Sequence, residues 1–169
     1  LKDKALEPQL GAMLTDMLIT MSDRGPDSAG IAVYGTDTDG RAKLTVQAPD
    51  PKVFDGLDTD LSTQLGGEVT MQIKDTHAVL DLPEDKSAEA RAAVKVLRPQ
   101  TRVMSAGEVI EIYKEVGLPG DVAKRFGIPS LTGSHGIGHT RMATESAVTT
   151  LGAHPFSTGA DQCLVHNGS

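Results

Sequence analysis

An amphipathic helix followed at once by a wholly apolar strand occupies residues 6–34, and this pair constrains the fold more than any other feature. Leu6, Leu10, Met13, Leu14, Met17, Leu18 and Met21 fall at spacings of four, three, one, three, one and three. That is a helical stripe facing a core, with Pro8 tolerated in the first turn. Arg24 and Gly25 close the helix, a cation near its C-terminus followed by a residue free to take positive φ. The run Ala29–Tyr34 then reads as a buried strand. Thr36 to Gly40 turns the chain, and Ala42 to Ala48 is expected to return as the partner strand.

Farther along, Val53 to Leu65 reads as a helix with Phe54, Leu57, Leu61 and Leu65 on one face. Gly66 and Gly67 break it before two β-leaning runs, Val69 to Ile73 and His77 to Leu82. Residues 83–132 are less legible. Lys86 to Ala93 looks helical and Val94 to Leu97 like a strand, while Gly107 to Val116 and Asp121 to Phe126 read as helices. From Ser134 the texture changes to Gly, His and Thr with short apolar runs. Early strands, interrupting helices and late strands predict an α+β arrangement of helices on antiparallel sheets.

Composition narrows the function. The 169 residues amount to one domain, with 38% hydrophobic and 23% charged residues. No apolar run approaches the roughly 20 residues of a membrane span, and no signal peptide opens the chain. A net charge of -7 argues against general nucleic-acid binding, which needs clustered Lys and Arg. The single cysteine forbids an internal disulfide and fits a reducing cytoplasm. The chain opens on Leu1 rather than Met, which reads as processing or as a fragment.

Four short segments could carry chemistry: Arg24-Gly25-Pro26-Asp27-Ser28-Ala29-Gly30, Gly138-His139-Thr140-Arg141-Met142-Ala143-Thr144, Ala153-His154-Pro155-Phe156, and His166-Asn167-Gly168. Each has an ordinary structural reading. Gly-Pro-Asp is a common turn, Asn-Gly a hairpin signal, Arg141 a strand-end charge and His154-Pro155 a loop.

Together and in this order the four segments resemble the class II glutamine amidotransferases. That family includes the amidotransferase domains of glutamate synthase, glutamine phosphoribosylpyrophosphate amidotransferase, glucosamine-6-phosphate synthase and asparagine synthetase. The resemblance covers most of residues 1–169 and is weakest over 83–132, with a partly helical elaboration at about 75–132. It implies the N-terminal-nucleophile hydrolase fold, a four-layer αββα sandwich of two antiparallel sheets. It also implies hydrolysis of glutamine through a glutamyl thioester, with ammonia passed to a synthase partner and no cofactor. Within the family, the texture is most similar to amidotransferase-like subunits related to glutamate synthase, including N-methylglutamate synthase.

The resemblance assigns roles that physical chemistry supports. Arg141 would clamp the glutamine α-carboxylate with two parallel donors, a geometry lysine cannot reproduce. Thr144 would stand beside it as a second polar contact. The Asn167 side chain and the Gly168 backbone N–H would form the oxyanion hole, each donor contributing roughly 3 kcal/mol. Arg24 and Asp27 would belong to a loop supporting the site. The family's nucleophile, an N-terminal cysteine whose own amine acts as base, is expected to be missing here, as both ends look cut. Cys163 is a poor substitute, because residues three apart in a strand point to opposite faces and part it from His166.

Two other chemistries fit the residues less well. His135 and His139, with His154 and His166, could suggest zinc. In a strand the first two would stand about 13 Å apart, too far to share one ion. The glycines do not spell a dinucleotide fingerprint either, since Arg141 occupies the third position. Two rival functions stay open, a non-catalytic assembly subunit of the same fold and a module that binds a free amino acid through Arg141.

Overall fold

A computed structural model describes residues 1–37, 39–144 and 147–166. A 3₁₀ turn over Lys4–Gln9 takes up Pro8, and helix α1 follows at Leu10–Thr20. Its buried face is narrower than the sequence suggests: Leu10, Leu14 and Leu18 are buried, whereas Met13, Met17 and Met21 are 37%, 66% and 41% exposed. Gly25 takes φ of −158°, extended backbone, so helix termination is not what asks for glycine here. An ideal Cβ at 25 would stand 2.5 Å from the Thr140 carbonyl carbon, so the requirement is close approach.

Strand β1, Ser28–Tyr34, is buried at every position. Strand β2, Arg41–Gln47, forms as expected but does not pair with β1. Helix α2, Leu57–Leu65, buries Leu57, Leu61 and Leu65, with Phe54 buried in the preceding 3₁₀ turn. Strands β3, Thr70–Lys74, and β4, His77–Pro83, form a hairpin. Helix α3 runs Ser87–Leu97, so Val94 to Leu97 continues a helix instead of starting a strand. Ala90, Ala93 and Val94 are its buried face, spaced i, i+3, i+4.

Strands β5, Arg102–Gly107, and β6, Ile110–Val116, replace the helix expected at Gly107 to Val116. Helix α4, Pro119–Arg125, is followed by β7, His135–Arg141, and by a two-stranded hairpin of β8, Phe156–Gly159, and β9, Gln162–Leu164.

The fold is α+β with two principal antiparallel sheets, ordered β6-β1-β7 and β3-β4-β2-β5. Residues 41–107 thus run β-α-β-β-α-β with both helices on one sheet face, the ferredoxin-like order. On that face Leu44, Val46, Leu80 and Leu82 meet Leu57, Leu61, Ala90 and Val94. On the other sheet Ala29, Ile31 and Val33 meet Leu14 and Leu18 of α1 and Val122 and Phe126 of α4. Alternation along β1 sends Ala32 and Tyr34 the other way, against Met104, Ile110 and Ile112.

The sheets are also tied by charge. Glu111 of β6 accepts from Lys43 Nζ at 2.6 Å and from Tyr113 Oη at 2.5 Å, and Lys74 Nζ lies 3.9 Å away. These opposed charges hold the Glu111 carboxyl below its ordinary range despite burial, which acts the other way and is the largest influence. Two antiparallel sheets carrying helices in this way agree with the expected layered sandwich.

Candidate functional site

Among the described residues strand β7 lies at one edge of its sheet, hydrogen-bonded to β1 with Ser28 opposite Arg141 and Gly30 opposite His139. Beside it, α1 crosses with its three exposed methionines. Between them opens a cavity of about 770 Å³, within the range of small-molecule sites. Met13, Met17 and Met21 form an apolar wall, which is why the methionines of the helical stripe are not core. The polar wall is built from Arg24, His139, Arg141, His154 and His166.

The segment before β1 fixes the position of Arg141. The Asp27 backbone N–H donates to the Arg141 carbonyl at 3.0 Å, and Asp27 Oδ2 accepts from the Ala143 N–H at 2.7 Å. The Arg24–Gly30 segment and the segment after Arg141 are therefore one hydrogen-bonded unit, with Arg24 on the cavity wall. Thr144 is exposed and does not line the cavity. Asn167 and Gly168 lie outside the described residues.

Three further residues shape the site: His139 and His154, to which the sequence assigns no role beyond a weak zinc alternative, and Lys114, which it does not single out. His139 and His154 bring their rings to 4.6 Å at 49°. Burial, followed by the charge of Arg141, lowers the His139 pKa. Burial, followed by His139, lowers that of His154, so both imidazoles are neutral at pH 7. The third is Lys114 of β6, only 4% exposed. Its ammonium donates to the carbonyls of Ala153 at 2.8 Å, Pro155 at 3.2 Å and Leu151 at 3.4 Å, and lies 4.4 Å from the Phe156 ring centre. Burial pushes its pKa down to about 8. Lys114 thus holds the segment that carries His154, with its cis His154–Pro155 bond, against β1.

The same segment explains Gly30. An ideal Cβ there would stand 1.8 Å from the His154 carbonyl oxygen. The only sequence signal for this mount was the Gly30 and His154 of two separate motifs; Lys114 sat in a stretch misread as helix.

Cys163 lies elsewhere. Its sulfur accepts from Tyr34 Oη at 3.4 Å and packs against the cluster around Ala32 and Ile112. His166 lines the cavity and Cys163 does not. Among the described residues β7 pairs with β1, and β9 with β8, so Gly138–Arg141 and Leu164 are not on neighbouring strands. Arg141 and His166 nevertheless meet at one cavity. Among the described residues no group of three or more His, Cys, Asp or Glu is arranged to hold a metal ion.

No protein-family model matches the sequence. The chain is 61% identical over 170 residues, its whole length, to the glutamine amidotransferase-like protein GlxB of Rhizobium meliloti, and spans 56% of that relative. It is 41% identical over 63 residues to a glutamine–fructose-6-phosphate aminotransferase (isomerizing) of Streptococcus pyogenes, covering 37% of this chain and 10% of that protein. The corresponding enzyme of Aeropyrum pernix is 38% identical over 76 residues, covering 44% and 11%. The chain spans a little over half the length of the first of these relatives. Similarity along the whole chain to an amidotransferase-like protein, and in part to two glutamine–fructose-6-phosphate aminotransferases, supports a class II glutamine amidotransferase domain.

Proposed function

We propose that the cavity between α1 and β7 binds glutamine and that the complete protein hydrolyses it, passing ammonia to a synthase partner. The observation that carries this reading is the position of Arg141. A planar cation stands on the wall of a ligand-sized cavity, fixed through the Asp27 segment and flanked by neutral imidazoles that do not compete for a carboxylate. In this assignment Arg141 takes the α-carboxylate, Arg24 and Asp27 support it, and Asn167 with Gly168 stabilises the oxyanion. Thr144 is proposed as a further polar contact made when substrate is present. The nucleophile is proposed to come from a residue outside this chain, since its one cysteine is turned away from the cavity. A relation to glutamate-synthase-type partners and a cytoplasmic location belong to the same proposal.

Steady-state glutaminase kinetics on the full-length protein test it. The α-carboxylate does not change charge during amide cleavage, so Arg141 contributes uniform binding and Arg141→Lys should raise KM with little change in kcat. Asn167→Ala should lower kcat by roughly a hundredfold or more and spare KM. The reverse pattern would show the two roles wrongly assigned. A full-length protein that binds glutamine without releasing ammonia would favour the amino-acid-binding module instead.

A further inference from the structure

A second cavity, of about 450 Å³, lies where the βαββαβ unit meets the β8–β9 hairpin, away from the α1–β7 site. Its walls carry Arg91 and Lys95 from α3, Arg102 from β5 and Lys114 from β6, and no Asp or Glu. Acidic residues outnumber basic ones 23 to 16 in the chain, so four cations around an acid-free cavity depart sharply from its average charge. None of the four forms an ion pair among the described residues. Arg91, Lys95 and Arg102 are exposed at the rim, while Lys114 is buried at the floor. A concave surface of one sign with low-dielectric walls concentrates counter-charge. Leu151 and Phe156, 44% and 38% exposed, supply an apolar side.

We infer that this cavity binds a small ligand carrying two or more negative charges on phosphate or carboxylate groups. A single charge would leave most of the rim unmatched. The volume suits a metabolite-sized molecule more than a polymer. The two arginines offer forked donors that fit either oxyanion, and the lysines supply point charges from the side and below. The inference does not depend on the glutamine reading, because neither Arg141 nor His166 takes part.

Calorimetric titration of the full-length protein, without glutamine, tests it with two probes, inorganic pyrophosphate and the tricarboxylate citrate. Saturable one-to-one binding of pyrophosphate alone assigns a phosphate ligand, and binding of citrate alone a carboxylate ligand. In either case binding should weaken with added salt, and the double variant Arg91→Gln/Arg102→Gln should weaken it by about tenfold or more. Both side chains are exposed, so the variant should keep its melting temperature, and Arg102→Glu serves as a charge-reversed check that should abolish binding. No binding of either probe at low salt, or binding that both variants leave unchanged, would overturn the site. Neither result bears on glutaminase activity.

Discussion

Replacing Gly30 with alanine would show how firmly the wall of the α1–β7 cavity is held. The new Cβ would stand 1.8 Å from the His154 carbonyl oxygen, where carbon and oxygen rest no closer than about 3.3 Å. Strand β1 cannot move aside, because β6 and β7 hold it on both edges. The His154 segment must therefore retreat by about 1.5 Å. That carries the Ala153 and Pro155 carbonyls, now 2.8 and 3.2 Å from Lys114 Nζ, out of hydrogen-bond reach. Hydrogen bonds to a charged group contribute about 1.5–3 kcal/mol each, so losing two costs about 3–6 kcal/mol. Relieving a strand glycine returns about 0.5–1 kcal/mol. The expected net loss is about 2–5 kcal/mol, read as a lower urea midpoint with an unchanged slope. Because the damage runs through Lys114, the double variant Gly30→Ala/Lys114→Met should lose less than the sum of the two single changes. A loss below about 1 kcal/mol, or strict additivity, would refute the account of the mount.

Three further outcomes are expected. Burial pulls the His77 pKa from the ordinary 6.5 to about 3, so the unfolded chain takes a proton that the folded one refuses. Between those values stability should fall with acidification by about 1.4 kcal/mol per pH unit, and His77→Leu should remove that share of the slope in pH-dependent urea melts. Asp161 accepts from the N–H groups of Glu108, Val109 and Ile110 at 2.8 to 3.0 Å, from a backbone at φ of 52°. Asp161→Ala should cost about 3 kcal/mol in thermal unfolding, and Asp161→Asn, which tolerates that φ and keeps an acceptor, about half as much. The 169-residue chain alone should release no ammonia from glutamine, and Cys163→Ala should leave a coupled ammonia assay at baseline, since that sulfur faces Tyr34.

The residue pattern served where buried positions are apolar and failed where they are polar. The spacing of three, four and four from Phe54 through Leu57 and Leu61 to Leu65 located α2, and the apolar run at Ala29 located β1. Strand β6 was misread because its polar residues are paired inside: Glu111 by Lys43 and Tyr113, Lys114 by three carbonyls. Without visible partners, charges at 111, 114 and 115 look like a helix's solvated side. The partner of β2 was misassigned because sequence neighbours are the usual pairing choice, whereas β2 joins β4 and β5 in the second sheet. The motif order carried Arg141, Arg24 and Asp27 to one place. It could not carry Lys114, whose role depends on pairing across β1 and on a segment about 40 residues away in sequence.

The pairing of Lys43 with Gly107 places the entrance and exit of the βαββαβ unit side by side. Strands β1 and β6 pair as far as Tyr34 with Ile110, across 75 intervening residues in sequence (35 to 109). Once the unit has formed, that separation shrinks to two short links, 35–40 and 108–109, because β2 and β5 already hold their ends together. Loop-closure entropy grows with the free length being closed, and distant pairings slow folding. The unit therefore acts as a clasp that turns a distant strand pairing into a local one. Substitutions that loosen the α2–α3 packing should slow the appearance of the β6-β1-β7 sheet during refolding, even though none of those side chains touches it.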